Sequence, residues 1–350
     1  MHSLGEVQNQ SQALIYTLSL IGRSAKLHLK RFLPASKNSE KPIYAGKMES
    51  LISVMALDVG GVREKDIKEK KELFRYISAF NLMWRAYDEV IEKQGGHVTE
   101  DQLDTTPVSH KYMGREVTGQ EAKEIALESL SKLIPGEDRS SVRKREEIIK
   151  LLLLYRQQIV EVANNPKYNN FDILPLDLCL DIKRETTGVL GEIGIEIIFK
   201  ILGIDDEVGI RLFGQMNTAM QWGDDMADWK KDWNEHEQLK KKGNLVRPLE
   251  NLFLSTLEEF PMEKEALIPH LVDPINSILL IQKFAPQTLE QSLKIFEAEL
   301  EALPAHRCRD KIKGFCRLTF YKGLPNAPET GKLHDWIEGV DLYKLKRNRV

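Results

Sequence analysis

Four aspartates recur over nine positions as Asp224, Asp225, Asp228 and Asp232. On a helix of 3.6 residues per turn they project within an arc of roughly 100°. Gln221 and Asn217 extend that face by one and two turns. Carboxylates packed this closely repel one another, at about a few tenths of a kcal/mol per exposed helical pair. A divalent cation removes the conflict, and a donor set made only of oxygens favours Mg²⁺, or Mn²⁺, over zinc. The competing reading is a solvated acidic stripe balanced by Lys230, Lys231 and Lys240 to Lys242. Trp222, Trp229 and Trp233 fall beside the acidic arc, which argues for a packed helix whose acids line a cleft.

A second acidic device stands upstream. Asp88, Glu89 and Glu92 repeat the i, i+1, i+4 spacing, with Asn81 and Arg85 on the same helical face. Here the alternative is an Arg85 ion pair on a solvated stripe. Between the two devices runs Asp181-Ile-Lys183-Arg184-Glu-Thr186-Thr187-Gly188-Val-Leu-Gly191-Glu-Ile-Gly194. Arg184, Thr187 and Gly191 share one face, and Thr187-Gly188 is a pair able to loosen a helix and free a carbonyl. Close helix packing through the three glycines explains the same residues. Phe80, Trp84, Phe213 and Trp222 supply aromatic faces suited to holding a cation.

The two acidic motifs together resemble those of class I isoprenoid synthases, the family of trans-prenyl diphosphate synthases, squalene and phytoene synthases and class I terpene synthases. Asp224 to Asp232, with Gln221 ahead of it, is similar to the family's second DDxxDxxxD motif. Asp88-Glu89-x-x-Glu92 resembles a glutamate-substituted first DDxxD, about 136 positions upstream. The resemblance covers roughly residues 66–250 and implies an all-α bundle of long helices around a central cavity. It implies Mg²⁺, with Mn²⁺ as substitute, held by Asp88, Glu89, Glu92, Asp224, Asp225, Asp228 and Asp232. It also implies a prenyl diphosphate substrate met by Lys183, Arg184, Thr187, Asn217 and Gln221, with Phe80, Trp84 and Trp222 beside its chain. Arg317 and Tyr321, one turn apart, resemble a late arginine and tyrosine pair of terpene synthases.

Within that family, chain elongation calls for a basic segment near the N-terminus and an arginine pair soon after the first motif. The chain instead has Gly46-Lys47 and Lys93-Gln94. The expectation is therefore a divergent terpene synthase that ionises an allylic diphosphate, ahead of head-to-head condensation or chain elongation. A helical binding or scaffold protein is the alternative outside enzymes. A ferritin-like di-metal bundle is disfavoured, because no Glu-x-x-His pair of the kind it needs is found.

Long stretches with apolar residues three and four apart, and little period-two alternation, place these residues on helices. The periodicity predicts helices near 7–33, 47–58, 66–94, 117–134, 140–164, 176–203, 205–238, 244–258, 273–285, 287–302 and 305–322. Gly95 to Gly114 reads as the longest loop. One α-helical domain over 1–325 with an appendage at 326–350 is the economical division. A net charge of −3 over 350 residues gives no footprint for nucleic acid. Cys179, Cys308 and Cys316 form no CxxC pair, which points to a reducing cytoplasm. No apolar run approaches the ~20 residues of a membrane span, and Ala13 to Gly22 lacks the basic lead of a signal peptide. Nothing in the sequence speaks against a homodimer.

Overall fold

The computed structural model describes residues 15–20, 23–24, 47–63, 66–94, 97–110, 115–168, 170–242, 247–273 and 277–321. The expected all-α architecture is what it contains. Helix α1 spans Lys47–Val59, α2 Lys70–Gln94 and α3 Glu100–Thr105. A two-stranded antiparallel ribbon follows, β1 Val108–His110 against β2 Arg115–Val117. Then come α4 Gly119–Leu133, α5 Arg139–Ala163, α6 Leu176–Lys183, α7 Val189–Leu202 and α8 Glu207–Lys241. The last are α9 Leu252–Leu257, α10 Pro261–Leu267, α11 Ser277–Phe284, α12 Pro286–Glu301 and α13 Arg309–Tyr321. Among the described residues no helix is long and apolar enough to cross a membrane.

Helix starts follow side-chain chemistry. Asp138 accepts from the backbone N–H of Ser140 and Ser141 to open α5, and Asp206 accepts from Gly209 to open α8. These bonds satisfy donors that a first helical turn leaves without partners. Gly203, at φ 71°, ends α7 in the left-handed conformation that glycine tolerates best. The region from Gly95 to Gly114, expected as loop, holds α3 and β1. α3 begins with a Thr99–Gln102 capping box, and six residues are too few for apolar periodicity to stand out. The helix expected over 176–203 is interrupted by a π-turn at Arg184–Gly188, where the Val189 N–H reaches back to the Arg184 carbonyl.

Helix α8, 35 residues long, runs through the middle and touches α7, α9, α11, α12 and α13. Trp222 and Trp229 are completely buried on its inner side. One apolar core gathers α1 and the helices around α8; a second gathers α2, α4, α5 and part of α7. Residues of both cores face each other across a cavity at their seam.

Candidate active site

The seam cavity has a volume of about 700 Å³. Its wall from α2 is Tyr76, Phe80 and Trp84, one turn apart, and its wall from α8 includes Phe213, Met216 and Met220. Gly191 and Gly194 on α7 keep the space open. A Cβ at Gly194 would stand 3.1 Å from Phe80, and one at Gly191 would stand 2.5 Å from the Asn217 amide. Asn217 and Gln221 line this pocket, as the helical arc predicts.

At the end marked by Asp88 and Asp224 the pocket meets a polar chamber of about 350 Å³. Trp84, Asp88, Thr187, Gln221, Asp224 and Lys231 border both spaces. Asp228, Asp232, Lys183 and Arg247 line the chamber alone. The sequence thus brings Asp88 and the α8 aspartates to one void from helices 136 positions apart. Tyr155, Ile159, Val162 and Ala163 give the chamber an apolar wall from α5. Tyr155 lies 5.8 Å from the Phe80 ring, and its buried hydroxyl has no hydrogen-bond partner among the described residues.

The four aspartates of α8 differ sharply in what they already hold. Asp225 is buried, with Oδ1 accepting from the Lys183 ammonium at 3.1 Å and Oδ2 from the Leu252 N–H at 2.7 Å. Asp232 Oδ2 accepts from the Asn251 amide at 2.7 Å. Asp228 has only Lys231, at 4.0 Å, and Asp224 has no hydrogen-bond or ion-pair partner among the described residues. Asp225 therefore braces the helix, whereas Asp224 and Asp228 present open carboxylates.

Burial pushes the Asp88 carboxyl up to about 6, with Lys183 pulling the other way. Its side chain is nonetheless solvent-accessible where it opens on the chamber, crowded there by the surrounding walls. Burial likewise pushes Asp225 up to about 6, against Lys183 and the Leu252 N–H. Asp224 is raised by burial and then by Asp228, and Asp232 is raised by burial against its Asn251 bond. Burial pulls Lys183 down, but Asp225, Cys179 and Glu250 more than reverse it, and the ammonium stays charged.

Other expected site residues lie elsewhere. Arg184 is exposed and pairs with Glu299 at 2.6 Å, lining neither space. The reason is helical phase. Lys183 is one turn after buried Cys179 and faces inward, while Arg184 is one turn after Asp181 and faces out. Glu89 lines neither space, because it stands about 100° around α2 from Asp88. Trp222 is turned into the core rather than the pocket. Arg317 is engaged by Glu297 and Glu301. The side chains of Glu92 and Tyr321 lie outside the described residues. Sequence reasoning did not single out Tyr155, Lys231 or Asn251 for the site. Only Asn251 carries a local signal, an asparagine before an apolar run, and that signal indicates a helix cap.

Among the described residues no three carboxylate, imidazole or thiolate groups converge closely enough to hold an ion on their own. The donor set nevertheless fits Mg²⁺, which takes oxygen ligands and is commonly held by one or two carboxylates, with phosphates completing its shell. Open carboxylates brought to one chamber from two helices suit an ion that enters together with a diphosphate.

Neither a protein-family model nor a curated protein matches the sequence. The chain is similar to the solved structure of a geranylgeranyl pyrophosphate synthetase from the archaeon Geoglobus acetivorans, at 14% identity and a TM-score of 0.42, over 91% of this chain and 99% of that one. It is similar to a polyprenyl synthase from Roseobacter denitrificans at 14% identity and a TM-score of 0.45, over 90% and 99% of the two chains. It is also similar to a geranylgeranyl pyrophosphate synthase from Corynebacterium glutamicum at 15% identity and a TM-score of 0.42, over 93% and 96%.

Proposed function

We propose that this chain ionises an allylic prenyl diphosphate with Mg²⁺ and passes the carbocation to a second prenyl substrate. The carrying observation is the pairing of an apolar 700 Å³ pocket with a polar chamber bordered by Asp88, Asp224 and Asp228. The diphosphate belongs in the chamber and its hydrocarbon chain in the pocket. Bound Mg²⁺ would be held by Asp88, Asp224, Asp228 and Asp232 and would neutralise the charge of the leaving group. Lys183 and Lys231 add positive charge at the chamber wall, and Gln221 and Thr187 add hydrogen-bonding groups. The allylic C–O bond breaks with its electron pair leaving on the diphosphate. Trp84 and Phe80 would offer ring faces to the cation, and the largely apolar pocket wall would offer water little to bind beside it.

What favours transfer is the apolar α5 wall of the chamber, which gives a second hydrocarbon a place beside the leaving group. Its alkene electrons form the new C–C bond, and loss of a proton completes the reaction. A terpene-synthase reading is favoured by Lys93-Gln94 after the first motif, where the resemblance leads one to expect two arginines. Incubation with Mg²⁺ and allylic diphosphates of several lengths, with and without isopentenyl diphosphate, separates them. A longer diphosphate formed only with isopentenyl diphosphate is the expected result, whereas hydrocarbon or alcohol from one substrate alone supports terpene formation. Failure of any allylic diphosphate to release pyrophosphate with Mg²⁺ would overturn both and leave a helical binding protein.

A further inference from the structure

The segment from Arg247 to Leu252 does more than connect helices. Its Leu249 N–H donates to the Asp172 carbonyl at 2.9 Å, and the Leu249 carbonyl accepts from Leu174. Two residues on, Asn251 is completely buried and uses both ends of its amide. Oδ1 accepts from the Leu254 N–H at 3.0 Å, which starts α9. That bond orients the amide, so Nδ2 must face α8. There it donates to the Asp225 carbonyl at 2.9 Å and to Asp232 Oδ2 at 2.7 Å.

We infer that Asn251 is the positioning residue for Asp232, fixing which way that carboxylate faces in the chamber; the inference rests on the metal-dependent reading above. A cap needs only the oxygen of the amide, so capping leaves the bonds of Nδ2 unexplained. Every residue of α9 from Leu252 to Leu257 is buried, which gives Asn251 a rigid base. The bond to the Asp225 carbonyl ties the same amide to the α8 backbone two turns before Asp232. The carboxylate is thus held relative to its own helix as well as to α9. One lone-pair direction of Asp232 is used, and the others stay available to the chamber that it lines. Asp224 and Asp228 have no such brace among the described residues, while Asp232 is preset. Partners that orient a metal-binding carboxylate typically change metal affinity by about 10–100-fold when removed.

The test uses Asn251→Ser, which keeps a side-chain oxygen for the cap and loses the amide N–H. Pyrophosphate is titrated calorimetrically into the full chain at stepped Mg²⁺ concentrations. The half-saturating Mg²⁺ concentration is expected to rise about 10–100-fold, with the melting temperature of the metal-free protein little changed. Asp232→Asn should give a similar rise, and the two changes together no more than Asp232→Asn alone. A wild-type midpoint in Asn251→Ser, or shifts that add in the double variant, would overturn the inference alone. Wild-type protein that binds no pyrophosphate with Mg²⁺ would overturn the functional reading and this inference with it. Should Asn251→Ser fail to fold, Asn251→Asp also preserves the cap and sets a second carboxylate against Asp232. The same rise is then expected, and an unchanged midpoint is again refuting.

Discussion

Replacing Lys183 with methionine tests the division of labour among the aspartates most directly. Lys183 and Asp225 are 13% and 6% exposed and 3.1 Å apart. Removing one member of such a buried pair usually costs about 3–5 kcal/mol, because the remaining charge is stranded. The lower end applies here for two reasons: Asp225 keeps its bond from Leu252, and its carboxyl, already near 6, takes up a proton readily. Unfolding entropy of roughly 2.1 cal/mol/K per residue over 350 residues is ~0.7 kcal/mol/K, so ~3 kcal/mol lowers Tm by about 4 °C.

The assay is thermal unfolding of metal-free protein, for Lys183→Met, Asp225→Asn and both together. Two residues in one contact should be non-additive by about 0.5–3 kcal/mol, the double variant being less destabilised than the summed singles. The sign with pH follows from proton uptake. In Lys183→Met the folded chain keeps a proton on Asp225 that the unfolded chain releases above its ordinary value near 4, so the deficit shrinks as pH falls from 8 toward 5. Additive losses, or a Tm within about 1 °C of wild type, would refute a buried bracing pair.

Asp224→Asn should remove Mg²⁺-dependent pyrophosphate binding and lower kcat/KM by about 100-fold or more, while Arg184→Ala, losing one exposed pair, should change neither; pyrophosphate release measures both. With Asp88 raised to about 6, calorimetry should find metal-dependent pyrophosphate binding present at pH 7.5 and weakened as pH falls through and below 6. Buried Asp225, raised to about 6, contributes stability to the metal-free fold that grows as pH falls from 7 toward 4, since the folded chain holds a proton that the unfolded chain has lost, while lowered groups such as Glu128 act in the opposite sense; Tm against pH in wild type and Asp225→Asn isolates the contribution. Gly194→Leu places a side chain where even a Cβ is 3.1 Å from Phe80, and product analysis should show the longest accepted substrate losing about 10–200-fold in kcat/KM, the range set by one or two methylenes, with shorter ones spared.

Much of this site is legible locally. Helical periodicity puts Asn217, Gln221, Asp224, Asp228 and Asp232 on one face, and in the structure all five border the pocket or the chamber. The tryptophans beside them are packed as that reading requires, with Trp222 and Trp229 fully buried. Thr187-Gly188 marks the break in its helix, seen as the π-turn. Phase errors of one residue account for the misplacements. Lys183 and Arg184 are neighbours of equal charge, and only the burial of Cys179 one turn earlier decides which of them enters. Trp222 is one position from Gln221, yet that single step of about 100° takes it from pocket to core.

What periodicity cannot express is engagement. A helical wheel assigns Asp225 and Asp232 the same standing as Asp224 and Asp228, because it counts directions and knows nothing of the chain that arrives later to meet them. The partners of Asp225 come from 42 positions upstream and 27 downstream, and the partner of Asp232 from 19 downstream. Those contacts leave the four carboxylates unequal: Asp225 is bound into the fold, Asp232 is held in place by Asn251 while still lining the chamber, and Asp224 and Asp228 are open. Such a division resolves the repulsion that made the motif conspicuous. Lys183 neutralises Asp225 internally, and the remaining carboxylates are left for an external cation. The number of carboxylates in the motif therefore overstates the number of ligands by one, and the spacing i, i+1, i+4, i+8 is better understood as one bracing carboxylate, Asp225, set beside a binding set of Asp224, Asp228 and Asp232.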